Sequence, residues 1–390
     1  MLLGNSWLIF GKSKLTRAEG HEDGYVQYEI VREVGERHGY YRGIDSQEFN
    51  MVSDYYTLTN YNHLRMTLEI ARTVEKICPD AWFLQTANPV LEITQLVKDL
   101  TKVKIIGFCH GYAHVFNVAK TIGIEPDRLE WQVAGVNHAI WLNNFEYDGK
   151  DGYKILEKWI EKSSDKWEPK DPWDTDLSPA ALDMYRFYGM LPVGDTTRCG
   201  TWKYHYNLAT KKKWYGKFGG IDNEIERPRF YQQLRRTRKE LLELAKRLKE
   251  DPSIMLTQIM PTVFTRSPQS KEQHIPFINA VVNDEKTRLV LNVENNGIIK
   301  DIPNDVVIEV PVTVDKNGIH PEEIEPDLDE RIKHMYLMPR ILKMKWALEA
   351  FKTADLIVLK EILVRYPRTK SLRQVQEVLR DILDLPSTKK

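Results

Sequence analysis

The chain has 390 residues, of which 42% are hydrophobic and 29% charged, so it can bury a sizeable core and is expected to divide into two domains. Its 56 Lys and Arg residues balance its 56 Asp and Glu residues, which gives no electrostatic argument for nucleic acid or an anionic membrane as a partner. The opening MLLGNSWLIF lacks the charged region and cleavage site of a secretory signal, and three irregularly spaced cysteines do not indicate a disulfide framework. We therefore expect a cytoplasmic protein, and its composition is compatible with a small polar ligand.

The first part of the chain alternates helices with strands. Apolar residues recur every three or four positions over residues 62–77, which predicts an amphipathic helix. AWFLQTANP and VKIIGF are predicted strands, each followed by a helix, and LEWQVAGVNHAIWL is predicted as one strand with a glycine at its centre. This alternation predicts a parallel sheet, in which ligands bind outside the carboxyl ends of the strands. The segments ANP, CHGY and GVNH should therefore meet in one cleft.

The pattern changes after about residue 150. Helices are predicted over residues 227–250, 340–354 and 371–385, and the last begins at Ser371 with a capping box. The segments FINAVVND, TRLVLNV and DVVIEVPVTV indicate antiparallel strands. This part of the chain is expected to form an α+β domain.

Two residues at predicted strand ends are candidate metal ligands. Cys109 as a thiolate and His138 as a neutral imidazole could hold a divalent ion and leave positions open for substrate. They could equally be an inert buried cysteine and a histidine with a structural hydrogen bond. Asn88, before Pro89, could bind a sugar or ribose hydroxyl or simply end its strand in a turn.

The segment RFYGMLPVGDTTRCGTWKYHYN is the other candidate site. It collects Asp195, Arg198, Lys203 and Tyr204 among aromatic residues, a composition that suits a carbohydrate pocket. A buried loop with a structural ion pair is the alternative. His274, which leads into a predicted strand, is interpreted as structural.

Several of these segments resemble one enzyme family. GYYRGIDSQEFNMVSDYY, ANP, GFCHGY, WQVAGVNH with WLN, and RFYGMLPVGDTTR resemble, in this order, glycoside hydrolase family 4, whose members are NAD- and metal-dependent glycosidases. The resemblance implies NAD and Mn²⁺ as cofactors, with Cys109 and His138 on the metal and Asn88 and Pro89 at the nucleotide. It implies an α/β fold in which residues 1–145 are the remnant of a Rossmann-like dinucleotide-binding domain. Residues 146–390 would then be an α+β substrate-binding and oligomerisation domain of a homodimer or homotetramer.

The residues after Cys109 indicate a substrate class. A CHG motif followed by a bulky residue, here Tyr112, resembles the subgroup that cleaves α-linked hexuronic acids, either α-galacturonides or α-glucuronides. Such a substrate carries a carboxylate, for which a bidentate arginine is the natural partner. Arg198 is the first candidate and Lys203 the second. An α-glucosidase or α-galactosidase of the same family is the alternative.

The resemblance also implies a mechanism. Instead of using two carboxylates, such enzymes oxidise the sugar at C3 with NAD⁺, remove the C2 proton, eliminate the aglycone, add water and return the hydride. Asp195 is the predicted base and Tyr204 the reserve, while His110 would assist the leaving group or hold a hydroxyl. Asn88 and Asn137 would bind sugar hydroxyls or a metal-bound water.

The chain departs from the family pattern at its beginning. Family members start with a strand and a glycine-rich turn that holds the pyrophosphate, but no GxGxxG precedes the ANP segment here. We therefore expect an incomplete nucleotide domain that lacks its first strands and glycine-rich loop. A catalytically inactive protein that binds sugar acids remains a second hypothesis. An NAD-dependent hydroxyacid dehydrogenase would need the intact loop.

Overall fold

A mixed β-sheet forms the centre of the molecule. The computed structural model describes residues 26–42, 61–255, 257 and 271–385. Within these residues the sheet has nine strands in the order β1-β2-β7-β8-β3-β4-β5, with β6 beside β4 and β9 beside β8. The strands are β1 (Trp82–Gln85), β2 (Lys104–Phe108), β3 (Leu129–Val136), β4 (Ala139–Tyr147), β5 (Lys150–Asp151), β6 (Leu191–Val193), β7 (Thr287–Glu294), β8 (Val307–Asp315) and β9 (Gly318–Pro321).

Helices connect and surround the strands. In the described ranges they are α1 (Val26–Arg37), α2 (Tyr61–Ile77), α3 (Val90–Leu100), α4 (His114–Thr121), α5 (Gly152–Ser163), α6 (Pro179–Tyr188), α7 (Leu208–Tyr215), α8 (Glu226–Glu250), α9 (His274–Asn283), α10 (Met338–Thr353), α11 (Leu356–Val364) and α12 (Leu372–Leu383). None of them is both long and apolar enough to cross a membrane.

Periodicity and capping predicted several of these elements correctly. Helix α2 buries Leu64, Leu68 and Ala71 as its three-to-four spacing requires. The predicted strands in AWFLQTANP and VKIIGF are β1 and β2, and both are followed by helices. Ser371 caps α12, because its side-chain oxygen accepts a hydrogen bond from the Gln374 backbone N–H at 3.1 Å.

The expectation of a parallel sheet is confirmed for β1 and β2 but was wrong for β3, whereas TRLVLNV and DVVIEVPVTV form the antiparallel strands β7 and β8 as predicted. Among the described strands β1 and β2 are the one parallel pair, and all other pairs are antiparallel. The reason is that the β7–β8 hairpin pairs with the other edge of β2, opposite Gly107 and Phe108. One sheet thus contains strands from both sides of residue 145, and the division into domains at that residue stays a prediction.

The segment LEWQVAGVNHAIWL is a hairpin and not one strand. Strands β3 and β4 pair so that Val136 lies opposite Ala139, which leaves Asn137 and His138 as the two-residue turn. His138 has a left-handed φ of 58°, a conformation common in tight turns. Gly135 has a φ of 156°, and a Cβ there would lie 2.0 Å from the carbonyl oxygen of Ala139. The central glycine therefore permits the close approach of the two strands.

The segment FINAVVND is helical, which also corrects the prediction. Phe277 and Ala280 of α9 are buried three residues apart, the spacing of one helix face. The Phe277 ring packs edge-on against Trp82 at 5.3 Å and Phe108 at 5.6 Å between ring centroids. His274 therefore begins a helix, not a strand.

The core fixes the loop that follows β6. Trp141 of β4 is fully buried and contacts the rings of Tyr188 and Tyr336. The Tyr336 hydroxyl donates to the carbonyl oxygens of Thr196 at 2.8 Å and Cys199 at 2.9 Å. This loop carries Asp195 and Arg198, so core packing positions two predicted site residues.

Candidate active site

The end of β2 meets the β3–β4 turn, as the sequence predicted for CHGY and GVNH. Cys109 follows β2 directly, and its sulfur accepts hydrogen bonds from the Asn137 side chain and the Gly111 backbone N–H. His138, the other residue of the turn, lies with its Nε2 3.5 Å from Oδ2 of Asp195. The charge of Asp195 also acts on Cys109. The two predicted metal ligands therefore border the same carboxylate.

The protonation states of Cys109 and His138 suit the binding of a divalent cation. Burial raises the pKa of the Cys109 thiol, and the carboxylates of Glu309 and Asp195 raise it further, so the sulfur keeps its proton unless a cation displaces it. Burial lowers the pKa of His138 to about 4, which leaves a neutral imidazole at neutral pH. Among the described residues no three His, Cys, Asp or Glu side chains are grouped as a complete metal site. Two ligands beside two carboxylates fit a cation that takes its other ligands from substrate and water.

Asp195 reaches this group through a close contact between two loops. It lies in a short 3₁₀ turn, Gly194–Thr196, directly after β6. Gly194 has a φ of 61°, and a Cβ there would lie 2.9 Å from the Gly111 backbone. Burial alone would raise the pKa of Asp195, but the Arg198 guanidinium, paired with it, and His138 lower it well below its usual range. Asp195 is thus a carboxylate at neutral pH.

Arg198 is buried and only partly satisfied. It is 2% exposed, and its Nη2 pairs with Asp195, three residues earlier. Its Nη1 has no hydrogen-bond partner within the described ranges. The guanidinium lies over the ring of Trp173, 4.8 Å from its centroid. A buried guanidinium N–H without a hydrogen-bond acceptor destabilises the folded protein unless a ligand supplies that acceptor.

His110 lies at the rim of the site. It is exposed, and its Nδ1 is 3.0 Å from Oε1 of Glu272. The hydrogen bond to Glu272 raises the pKa of His110 despite partial burial, and Asp195 acts in the same direction. A histidine with a raised pKa next to the thiol is able to donate a proton near neutral pH.

Lys203 and Tyr204 lie in a different place from the other predicted residues. Both contact Asp183: Lys203 through an ion pair and Tyr204 through a hydroxyl hydrogen bond of 2.6 Å. Together with Met184, Tyr188, Met335 and Tyr336 they line a cavity of about 260 Å³. Burial, together with the Asp183 carboxylate, raises the pKa of Tyr204 above its usual range, so its hydroxyl keeps its proton.

The turn with Asn88 and Pro89 does not form a phosphate cradle. Asn88 is half-buried, and the hydrogen bonds found among the described residues do not connect it to Cys109, His138 or Asp195. The turn between β1 and α3 contains no glycine, and Pro89, at the start of α3, has no backbone N–H. These residues do not fit a dinucleotide pyrophosphate, which needs close approach to backbone N–H groups. A ribose or sugar hydroxyl on Asn88 stays a prediction. Residues 1–25 and 43–60 lie outside the described part of the chain.

Sequence reasoning missed the carboxyl group of Glu309, which contacts Asn137 and acts on Cys109, one of the two predicted metal ligands. Glu309 is fully buried on β8, opposite Asn292 of β7. Its Oε2 accepts from the Asn137 side chain at 2.9 Å and from Asn292 at 3.4 Å. An acidic residue within the apolar run VVIEVPV is the signal that could have identified it, because buried carboxyl groups are rarely accidental.

Glu309→Gln is expected to increase stability at pH 8 more than at pH 5. Burial raises the pKa of Glu309 from 4.5 to about 7. The folded chain therefore binds more protons than the unfolded chain between these values, and the free energy of unfolding falls as pH rises from about 4.5 to 7. A glutamine keeps the oxygen that accepts both hydrogen bonds and removes the titration.

Urea unfolding of the metal-free proteins at pH 5 and pH 8 measures this effect. The gain of the variant over the parent should grow by up to about 3 kcal/mol between the two values. Glu130→Gln, at an exposed position on β3, is the control and should show no such growth. A gain for Glu309→Gln that is equal at both pH values would contradict the buried titration.

A second missed pair borders the site. His114, at the start of α4, has its Nδ1 2.6 Å from Oδ1 of Asp176. Burial opposes protonation of His114, but the hydrogen bond to Asp176 raises its pKa overall, and Asp195 adds to the effect. The two residues are 62 positions apart, so no local motif could have predicted their contact.

Comparison with known proteins finds glycosidases among the relatives of this chain. The chain is 28% identical over 255 residues to an alpha-galactosidase of Bacillus subtilis, covering 65% of this chain and 53% of that protein. It is 23% identical over 300 residues to an alpha-galacturonidase of Thermoanaerobacter italicus, covering 73% and 61%. The chain thus spans little more than half the length of the curated relatives it matches.

A solved structure and the family models extend the match over most of the chain. A 6-phospho-alpha-glucosidase from gut microorganisms, in complex with NAD and Mn²⁺, has the same fold with a TM-score of 0.64 at 15% identity, over 94% of this chain and 78% of that one. The model of family 4 glycosyl hydrolases matches residues 23–123, and that of their C-terminal domain matches residues 133–369. The chain therefore belongs to family 4 of the glycosyl hydrolases.

Proposed function

We propose that this protein hydrolyses α-linked hexuronic acids, with NAD and Mn²⁺ as cofactors and galacturonides ahead of glucuronides. One observation carries the proposal: the Nη1 of buried Arg198 has no hydrogen-bond partner in the part of the chain that the structure describes. Arg198 pairs with Asp195, which lies next to His138 and whose charge acts on Cys109. A sugar carboxylate would accept a charge-assisted hydrogen bond from the Nη1 of Arg198. The CHG motif followed by Tyr112, and the similarity to an alpha-galacturonidase, support the same substrate class.

Cys109 and His138 would hold the metal. A bound divalent ion would act as a Lewis acid toward the sugar oxygens. The Asn137 amide already donates to Glu309 and to the Cys109 sulfur, so it orients the thiol. The side-chain oxygen of Asn137 could still accept from a sugar hydroxyl or a metal-bound water, as predicted, because both of these bonds use its NH₂ group.

Asp195 would be the base that removes the C2 proton. It is ionised at neutral pH, whereas the Tyr204 hydroxyl is held by Asp183, which favours Asp195 over Tyr204. The pairing with Arg198 makes Asp195 a weak base before substrate arrives. A substrate carboxylate on Nη1 would compete for the guanidinium charge and raise the basicity of Asp195. Substrate binding and base activation would then be coupled through Arg198.

Other predicted roles remain part of the proposal. His110, with its raised pKa, would protonate the leaving group. Lys203, which pairs with Asp183, would reach a substrate only from the neighbouring cavity. NAD is proposed from family membership and from the related structure that contains it. No step through NAD is assigned to residues of this chain, because the Asn88–Pro89 turn does not fit its pyrophosphate.

The proposal includes a cellular setting. A cysteine that must bind metal as a thiolate is inactivated by oxidation, so a reducing cytoplasm suits the site. A homodimer or homotetramer stays a prediction.

Two other functions are supported by particular observations. An alpha-galactosidase is the second candidate, because that relative is 28% identical to the chain. A protein that binds sugar acids without turnover is the third, because the buried Arg198 could bind a sugar carboxylate without the nucleotide.

Arg198→Lys separates the uronide proposal from the galactosidase. Lysine keeps the positive charge beside Asp195 but cannot present a second donor from a planar fork. We expect the Kd of methyl α-galacturonide to rise by about tenfold, with the Kd of methyl α-galactoside changed less than about twofold. Calorimetric titration of the Mn²⁺-loaded protein measures both values.

Arg365→Lys is the matched control for this experiment. Arg365 lies over the ring of Trp346 at 5.4 Å and pairs with Glu361, the same arrangement on an exposed surface. It should leave both Kd values unchanged. Uronide binding by Arg198→Lys that equals the parent would remove Arg198 from the substrate site.

A further inference from the structure

A cavity of about 230 Å³ adjoins the Arg198–Asp195 pair. Trp173, His114 and Asp176 line it together with Asn117 of α4. Trp173 forms the shared wall, since its ring packs on the Arg198 guanidinium and is 37% exposed. The charge of His114 acts on both Asp195 and Arg198. Trp173 thus borders both the cavity and the proposed uronate site.

The lining combines an aromatic face with fixed polar groups. The Trp173 ring is held by an edge contact with Phe230, at 5.5 Å between ring centroids. Asp176 accepts from His114 at 2.6 Å and from Asn117 at 3.4 Å. Asp171 accepts from the Trp173 backbone N–H at 2.7 Å. An aromatic ring face beside fixed carboxylates, which can accept hydrogen bonds from hydroxyl groups, suits a pyranose ring.

The charge of the lining disfavours an anionic ligand. Three aspartates, Asp171, Asp174 and Asp176, line the cavity, against Lys170 and His114. Burial raises the pKa of Asp174, and the carboxylates of Asp176 and Asp171 act in the same direction, whereas Lys170 lowers it. A second carboxylate in this space would add repulsion, while neutral hydroxyls could donate to these acceptors.

We propose that this cavity receives the leaving sugar and that this sugar is neutral. The enzyme then cleaves a hexuronic acid α-linked to a neutral hexose in preference to one linked to a second uronic acid. This inference rests on the proposed function, because Arg198 must hold the uronate for the leaving sugar to reach Trp173.

Three substrates test the inference: methyl α-galacturonide, α-galacturonosyl-hexose and α-galacturonosyl-galacturonate, each with the full chain, NAD⁺ and Mn²⁺. For the parent we expect kcat/KM of the neutral disaccharide to exceed that of the di-uronide by about tenfold. Trp173→Ala should lower the ratio of disaccharide to methyl glycoside by about tenfold. Asp174→Asn should raise kcat/KM of the di-uronide relative to the neutral disaccharide.

Trp346→Ala is the matched control, because Trp346 is 38% exposed and also carries an arginine on its ring. It should leave every ratio unchanged. The inference would be overturned if the parent used the two disaccharides equally or preferred the di-uronide. It would also be overturned if Trp173→Ala left the ratio of disaccharide to methyl glycoside unchanged.

Failure of the proposed function gives a different result. If neither the disaccharides nor the methyl glycoside are cleaved, calorimetric titration with α-galacturonosyl-hexose tests whether the cavity binds the second sugar. Binding that Trp173→Ala weakens about tenfold would support the cavity. Absence of binding, or binding that Trp173→Ala leaves unchanged, would overturn it.

Discussion

Asp195→Asn is expected to abolish exchange of the substrate C2 proton with solvent and to lower kcat for an aryl α-galacturonide by about a thousandfold. Asparagine has nearly the same shape and still accepts a hydrogen bond from Arg198, but it cannot take a proton. Incubation in D₂O with NAD⁺ and Mn²⁺, followed by mass spectrometry of the sugar, measures exchange directly. Exchange at the parental rate in a folded variant would remove Asp195 as the base.

Two control variants accompany this prediction. Tyr204→Phe should retain exchange, because the Tyr204 hydroxyl is bound to Asp183 and keeps its proton. Asp301→Asn removes an exposed carboxylate that pairs with Lys333 and should not affect exchange. Asp195→Asn also leaves the buried Arg198 without its countercharge, so the midpoint of thermal unfolding must be measured beside the rate. Loss of exchange in Tyr204→Phe alone would assign the base to the tyrosine.

Cys109→Ser is expected to weaken Mn²⁺ binding by about a hundredfold or more, since residues that only support metal ligands already contribute about 10- to 100-fold. Binding must displace the thiol proton, because burial and the nearby carboxylates raise the pKa of Cys109. His138, with a pKa of about 4, has no proton to lose at neutral pH. The affinity of the parent should therefore rise about tenfold per pH unit between about pH 6 and 8.

Calorimetric titration of Mn²⁺ at several pH values measures both effects without any need for turnover. The variant should lose the pH dependence along with the affinity. Cys78→Ser is the control, because Cys78 is half-buried and follows α2, in another part of the chain. A Kd that Cys109→Ser leaves unchanged would place the metal elsewhere.

Sequence patterns correctly predicted helices whose formation depends on residue spacing or on one capping interaction. Helix α2 and the cap at Ser371 depend on spacing and on one side-chain bond within a few residues. The apolar run FINAVVN was ambiguous, because short buried helices and strands have the same composition. Packing of Phe277 between Trp82 and Phe108 decided it, and those contacts join distant parts of the chain.

The site was predicted in part for the same reason. Strand ends placed Cys109 and His138 near each other, although the turn that presents His138 belongs to a hairpin that the pattern had joined into one strand. The spacing of Asp195 and Arg198 on one turn made an ion pair foreseeable. Glu309 and Trp173 reach the site through sheet register and a loop far away in sequence, and no local pattern contains that information.

The most direct test of the central claim is hydrolysis by the 390-residue chain of aryl α-galacturonide beside aryl α-galactoside, with NAD⁺, Mn²⁺ and a thiol reductant. We expect cleavage of the galacturonide at a kcat/KM at least about tenfold above that of the galactoside, because Arg198 has a carboxylate to bind only in the uronide. Cleavage of the galactoside with equal or greater efficiency by a folded chain would contradict the assignment of a uronide substrate. A folded chain that binds the uronide but cleaves neither compound would contradict hydrolysis and favour a sugar-acid-binding protein.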